Sequence, residues 1–276
     1  MFSPPDAPKL PSVSVSPSAE IVEGSSVTLT CSSDANPAAK YTWFKENLLK
    51  GQGQSYYFPS IRSEDRGIYY CQAENKHGQI KSLQHLLDVQ YAPKLPSVSV
   101  SPSAEIVEGS SVTLTCSSDA KPAAKYTWFI ENLLKGQGQR YFFPSIRSED
   151  RGIYYCQAEN KHGQIKSLQH LLDVQYAPKL PSVSVSPSAE IVEGSSVTLT
   201  CSSDANPAAN YTWFKEDEDS PTASGQIFNI NNTSPEHSGH YICIAQNTRG
   251  RHNSTVHLTV LEGKLHPHCF TGHMTL

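Results

Sequence analysis

The chain has 276 residues, room for about two domains of 150 residues or three of 90. Apolar residues make up 37% and charged residues 17%, with 19 Pro and 16 Gly, a mix that suits small β domains and excludes a coiled coil or a helical solenoid. The net charge of −4 divides into −1 at Asp6, 0 over 7–91, +1 over 92–176 and −4 over 177–276, so no segment offers a basic surface to a nucleic-acid backbone.

No window of 18 apolar residues occurs, so direct membrane insertion of this segment is not expected. The opening Met-Phe-Ser-Pro-Pro-Asp has neither a basic region nor an apolar run of a secretion leader. The cysteines nevertheless follow a disulfide-like pattern. The chain is therefore expected to be part of a longer extracellular protein, with a parent that is a single-pass plasma-membrane protein.

Seven cysteines stand at 31, 71, 116, 156, 201, 243 and 269, and the first, third and fifth are 85 residues apart. That period is a domain length. Within 7–91, Val27, Leu29 and Cys31 alternate with threonines, as a strand with one face on a core requires. Tyr41-Thr42-Trp43 repeats the alternation, and Tyr69, Cys71 and Ala73 continue it. Glu23-Gly24, Asn36-Pro37, Gly51-Gln52-Gly53 and His77-Gly78 break these runs at the spacing of a β-sandwich. Each of the first two units ends in Tyr-Ala-Pro-Lys, where proline removes a ladder donor and stiffens the chain.

Residues 92–176 repeat 7–91 with four changes: Asn36 becomes Lys121, Lys45 becomes Ile130, Ser55 becomes Arg140 and Tyr57 becomes Phe142. Identity that extends to surface positions reports recent duplication and not structural need. The third unit, 177–261, copies the first through Glu216 apart from Asn210 in place of Lys40, then diverges from Asp217. Residues 262–276 follow the last strand pattern and are expected to be an unstructured tail.

In the first unit Trp43 follows Cys31 by twelve residues, Cys71 follows by forty, and Tyr69 lies two before Cys71. The same set recurs at Cys116, Trp128, Tyr154 and Cys156, and at Cys201, Trp213, Tyr241 and Cys243. This spacing is similar to that of the immunoglobulin sandwich. The reading is all-β, three tandem C2-type Greek-key sandwiches arranged end to end. It implies disulfides Cys31–Cys71, Cys116–Cys156 and Cys201–Cys243, core tryptophans Trp43, Trp128 and Trp213, and tyrosine corners at Tyr69, Tyr154 and Tyr241. A loop closed over about 40 residues corresponds to roughly 4 kcal/mol of chain-entropy stabilisation. The third unit carries His237 where the others have Asp65 and Asp150, so its corner is expected to be looser.

Glu-Gly-Ser-Ser-Val-Thr-Leu-Thr-Cys-Ser-Ser-Asp-Ala-Asn-Pro (23–37), Tyr-Thr-Trp-Phe-Lys (41–45), Ser-Glu-Asp-Arg-Gly-Ile-Tyr-Tyr-Cys (63–71) and Tyr-Ala-Pro-Lys (91–94) resemble the C2-set repeats of the sialic-acid-binding immunoglobulin-type lectins, nearest to that family's B-cell branch. The likeness spans about 7–261. It implies a spacer and adhesion segment of a cell-surface immune receptor, with cell-surface glycoproteins or other immunoglobulin-superfamily proteins as partners and no cofactor. The family recognises its sugar through an arginine on strand F of an N-terminal V-set domain. The F strands here, Ile68–Ala73, 153–158 and Tyr241–Ala245, contain none, so no sialic-acid site is expected in this segment. Arg62 and Arg66 are expected to pair with Glu64 or Asp65. The alternative is a soluble or Fc-receptor-like protein-binding module.

Asn-x-Ser/Thr sequons occur at Asn210, Asn231, Asn232 and Asn253, all in the third unit, and crowding allows one glycan between the adjacent pair. His266, His268, Cys269 and His273 cluster by type, but their spacing is irregular and they follow the last strand, so metal is not expected. His77 and His85 have no nucleophile arranged with them, and the consecutive Glu64 and Asp65 point apart, so no enzyme is expected.

Strands of 8 to 10 residues make a sandwich about 30 to 40 Å long, and three end to end extend on the order of 100 Å. Small-angle scattering is expected to give a maximum dimension of that order; one near that of a compact 276-residue globule would refute the rod.

Overall fold

The computed structural model describes residues 6–188 and 190–263, and Cys269 with its neighbouring histidines 266, 268 and 273 and most of the 262–276 segment lies outside them. In the first repeat the strands are Ser12–Ser16 (β1), Ile21–Val22 (β2), Val27–Ser32 (β3), Lys40–Lys45 (β4), Leu48–Gln52 (β5), Ser55–Phe58 (β6), Gly67–Asn75 (β7), Gly78–Lys81 (β8), His85–Leu87 (β9) and Val89–Gln90 (β10). The threonine alternation in β3 becomes a half-buried outer row, while Val27, Leu29 and Cys31 are buried. Side chains on a strand alternate faces, so such a sequence presents one face to a core.

Two sheets result. One is antiparallel in the order β1-β3-β6; the other runs β5-β4-β7-β8 with β9 also on β7. A short parallel pair, Ile21–Val22 against Val89–Gln90, joins the start of the repeat to its end. A register shift between Trp43 and Phe44 where β4 meets β5 leaves Trp43 opposite Cys71 across the β4–β7 ladder. The core gathers Val27, Leu29, Cys31, Trp43, Phe58, Ile61, Tyr69, Cys71, Leu87 and Val89 between the sheets.

The second repeat has the same strand boundaries 85 residues on. The third retains the sheet of Ser182–Ser186, Val197–Ser202 and Ile227–Ile230, but its other sheet differs. Where β8 and β9 are interrupted, the third repeat has an unbroken hairpin of Gly239–Asn247 and Gly250–Leu258. The registers show why: β7 pairs with β8 as Gln72↔Lys81 but with β9 as Tyr69↔His85, one residue out of step, and in the gap the Cys71 N–H donates to the Ser82 hydroxyl at 3.0 Å, whereas the third repeat, with Ser254 opposite Cys243, keeps one register throughout. The acidic segment that replaces Leu48–Gln52 leaves only Ala223–Ser224 at the opposite edge.

One compact unit of the chain holds the described residues through Val100 with Thr113–Tyr141 and Ile153–His170; another holds Ser101–Val112 and Phe142–Gly152 with the described residues from Leu171 on. No helix among the described residues is long and apolar enough to cross a membrane.

Leu29 is fully buried, so Leu29→Ala is expected to cost about 2 to 5 kcal/mol. In urea denaturation this should separate the unfolding of the first repeat from that of its near-identical neighbour, while Gln52→Ala on an exposed edge should shift nothing measurable.

Candidate functional site

Each repeat is pinned between its sheets. Cys31–Cys71, Cys116–Cys156 and Cys201–Cys243 are bonded with Cα separations of 6.4, 6.4 and 6.5 Å. Trp43, Trp128 and Trp213 are buried, and each indole N–H donates to a glycine carbonyl at 3.1 Å, those of Gly53, Gly138 and Gly225. A buried Trp thus keeps its one polar group paired. Tyr69 donates its hydroxyl to the Asp65 carbonyl at 2.9 Å, and burial pushes its pKa well up. Tyr154 is equally buried.

The third corner is not looser. Tyr241 donates to the His237 carbonyl at 3.0 Å, and His237 Nδ1 accepts the Ser234 N–H at 2.9 Å, just as Asp65 Oδ2 accepts the Arg62 N–H. An imidazole nitrogen and a carboxylate oxygen serve the turn alike because both supply an acceptor at the same place. Arg62 pairs with Glu64 at 3.3 Å, whereas Arg66 reaches past its neighbours to Asp88 at 3.2 Å.

The outer face of the larger sheet carries an aromatic and cationic stack in the first two repeats. Phe44 and Tyr70 lie parallel at 5.1 Å and the Lys81 ammonium sits 5.2 Å from the Tyr70 ring; Phe129, Tyr155 and Lys166 reproduce this at 5.1 and 5.0 Å. Tyr70 donates to Asn47 Oδ1 at 3.1 Å, which anchors the ring to the β4–β5 turn. Leu49 and Leu86 flank the stack, 63% and 59% exposed. A surface with flat rings, a fixed cation and exposed leucines suits protein contact. In the third repeat the corresponding face carries His240 against His257, ring centres 4.6 Å apart, with Glu216 at 2.6 Å from His240 Nδ1.

Sequence reading missed what the repeat ends do. Tyr91 donates its hydroxyl to Asp119 Oδ1 at 2.7 Å, Lys94 pairs with the other oxygen at 3.0 Å, and Asn160 Nδ2 donates to the Tyr91 carbonyl at 2.8 Å. Lys121, one of four residues that distinguish the second repeat, meets Asp88 at 2.5 Å. Within the other compact unit, Tyr176 and Lys179 hold Asp204, both at 2.7 Å, while Asn206 donates to Asp173 at 2.9 Å where Lys121 makes an ion pair. Arg249 adds bonds to Gln175 and Glu105, whereas His162, at the corresponding place, has a buried Nε2 without a hydrogen-bond partner. The signal was in plain view: Tyr-Ala-Pro-Lys carries a donor and a cation, and Ser-Ser-Asp recurs directly after each repeat's first cysteine.

Asn210 opens the strand Asn210–Lys215, Asn253 lies in Gly250–Leu258, and Asn231 and Asn232 occupy the turn after Ile227–Ile230; all four are exposed. His77 is exposed in the turn between Gly67–Asn75 and Gly78–Lys81, and His85 is half-buried in the strand His85–Leu87. Among the described residues no group of three or more His, Cys, Asp or Glu could hold a metal ion.

The profile of the immunoglobulin domain matches residues 10–89, 95–174 and 180–260. The chain belongs to the immunoglobulin-domain family. Its three immunoglobulin domains are 33% identical over 258 residues to B-cell receptor CD22 of Mus musculus, covering 88% of this chain and 29% of that protein. They are 29% identical to Fc receptor-like protein 2 of Homo sapiens, covering 83% of this chain and 51% of that one. The chain thus spans between about a third and a half of these relatives. The crystal structure of the mouse nectin-like molecule 4 full ectodomain shares the three-domain fold, at TM-score 0.59 and 23% identity over 89% of this chain and 98% of that one.

The Tyr91 hydrogen bond and then the Lys94 bond hold Asp119 below the ordinary carboxylate value. The stabilisation this carries is present above about pH 3.9 and is lost as pH falls through the lower folded value. Carboxyl NMR titration is expected to place the Asp119 midpoint below that of free aspartate, and Tyr91→Phe is expected to move it upward; an unmoved midpoint would contradict the bond.

Proposed function

We propose that this chain is an extracellular spacer and adhesion segment of a cell-surface immunoglobulin-superfamily receptor of the kind to which the B-cell sialic-acid-binding lectin belongs. The observation that carries the reading is the 33% likeness to B-cell receptor CD22 across nearly the whole chain, together with three disulfide-pinned domains whose ends are tied by side-chain bonds. The domain limits are 7–91, 92–176 and 177–261. Such a segment carries no catalysis and needs no cofactor. Its partners are other immunoglobulin-superfamily proteins or cell-surface glycoproteins, and its parent is a single-pass plasma-membrane protein.

The strands Gly67–Asn75, Gly152–Asn160 and Gly239–Asn247 contain no arginine to meet a sugar carboxylate. The segment is therefore expected to show no sialidase-sensitive binding on a sialylated glycan array, and saturable binding would overturn the spacer reading. Peptide mapping of secreted protein under non-reducing conditions is expected to return all three disulfides; six free thiols would refute the extracellular assignment.

A second reading, a protein-binding module of the Fc-receptor-like kind, draws on the outer-face stack of Phe44 and Tyr70 under the exposed Lys81. Under it, purified immunoglobulin should bind in surface plasmon resonance and Lys81→Glu combined with Lys166→Glu should abolish the signal. Absence of binding favours the spacer.

A further inference from the structure

The four sequons do not share one place. Residues 210 and 253 lie on different strands of the same sheet, with Gly239–Asn247 between them. The register pairs Asn210 with Gln246 and sets Thr212, Ile244 and Asn253 in one row across the three strands; Phe214, Ile242 and Thr255 form the next. On the inner face of these strands Trp213, Cys243 and Tyr241 are buried, and Ser254 donates inward to the Pro181 carbonyl. Because side chains alternate along a strand, Asn210 and Thr212 stand together on the outer face, and so do Asn253 and Thr255. Both acceptor asparagines are exposed, and the hydroxyl residue each sequon requires stands on the same side. Ile244 lies between them and Phe214 and Ile242 stand in the next row, all three half-buried on an otherwise water-facing surface.

The contrast with the first repeat is residue by residue. The position of Asn210 is held by Lys40, and that of Asn253, by register, is held by Lys81, which pairs with Gln72 as Asn253 pairs with Ile244. Thus the two lysines that make the first face cationic are both replaced by sequons where the face exchanges Tyr70 and Gln72 for Ile242 and Ile244. No sequon occurs in 7–176. Two strand spacings and a two-residue offset separate Asn210 from Asn253 by about 12 Å, room for two glycans, unlike the adjacent Asn231 and Asn232. The Asn231 sequon, moreover, relies on Thr233, whose hydroxyl is buried and donates to the Val192 carbonyl at 3.0 Å.

We propose that Asn210 and Asn253 are both N-glycosylated and that the paired glycans cover the apolar patch on the outer face of the third domain, removing it from protein contact while the faces of the first two domains stay bare. The proposal rests on the extracellular reading above. A glycan over Phe214, Ile242 and Ile244 hides apolar surface that would otherwise favour association.

The test is secretion of the full chain from mammalian cells behind a leader, followed by glycopeptide mapping and hydroxyl-radical footprinting. Asn210→Gln and Asn253→Gln are each expected to remove one glycan step in mass, and the double variant to gain oxidation at Phe214, Ile242 and Ile244 with none gained at Phe44 and Tyr70. An unglycosylated Asn210 or Asn253 in secreted protein with Cys201–Cys243 formed would overturn the proposal and leave the extracellular reading standing. Both sites occupied with unchanged oxidation would overturn the covering role. Free thiols at Cys201 and Cys243 would instead sink the extracellular reading and the proposal with it.

Discussion

The contact between a disulfide and a buried indole carries each domain. A sandwich of about 85 residues has little core to spare, and its two sheets meet through a single layer of side chains. In the first domain that layer is centred on Cys31, Cys71 and Trp43, all without exposed surface. The disulfide limits the freedom of the unfolded chain, and the indole fills the space beside it while its N–H is satisfied by Gly53. The remaining core residues, Leu29, Ile61, Leu87 and Val89 among them, pack around this centre. The tyrosine corner then fixes how the chain enters the strand that bears the second cysteine. This is why the third domain can shorten an edge strand to Ala223–Ser224 and rebuild a hairpin without losing its fold: the changes lie outside the pinned layer.

Near-identity of the first two domains makes the few differences legible as chemistry. Lys121 in place of Asn36 brings a cation to Asp88, which already receives Arg66. Asn206 at the same position in the third domain makes a neutral bond to Asp173. The common element at both repeat ends is the tyrosine of Tyr-Ala-Pro-Lys donating to the aspartate two residues after the strand that bears the next domain's first cysteine. Such bonds are individually modest at a wet surface, but the tyrosine hydroxyl and lysine ammonium converge on one carboxylate from opposite sides, which fixes its position more than either does alone.

Duplication followed by divergence is also written on the outer sheet faces. Two faces keep the stacked ring pair and its lysine; the third replaces ring with isoleucine and lysine with asparagine. A fold whose stability is settled between the sheets leaves the outer face free to change, so function is carried by surface chemistry on a constant frame.

The strand alternation, the 85-residue period and the Cys-Trp-Tyr-Cys spacing were readable along the chain because each is a local or fixed-interval pattern: Val27, Leu29 and Cys31 announce a face, and Trp43 and Tyr69 announce what that face meets. The sequons were equally plain. What the chain could not disclose is pairing between residues far apart in number. Nothing in the sequence says that Tyr91 reaches Asp119, that Arg66 prefers Asp88 to its neighbour Asp65, or that His237 accepts where an aspartate did, since each depends on which backbone groups the folded turns bring within 3 Å or so. The sequence by itself determined the sandwich, through periodicities that the pleat of a strand converts directly into an inside and an outside. Only the tertiary structure decided that Asn210 and Asn253 share one face, because that is a matter of register across three strands, and register is set by the whole sheet closing on its core.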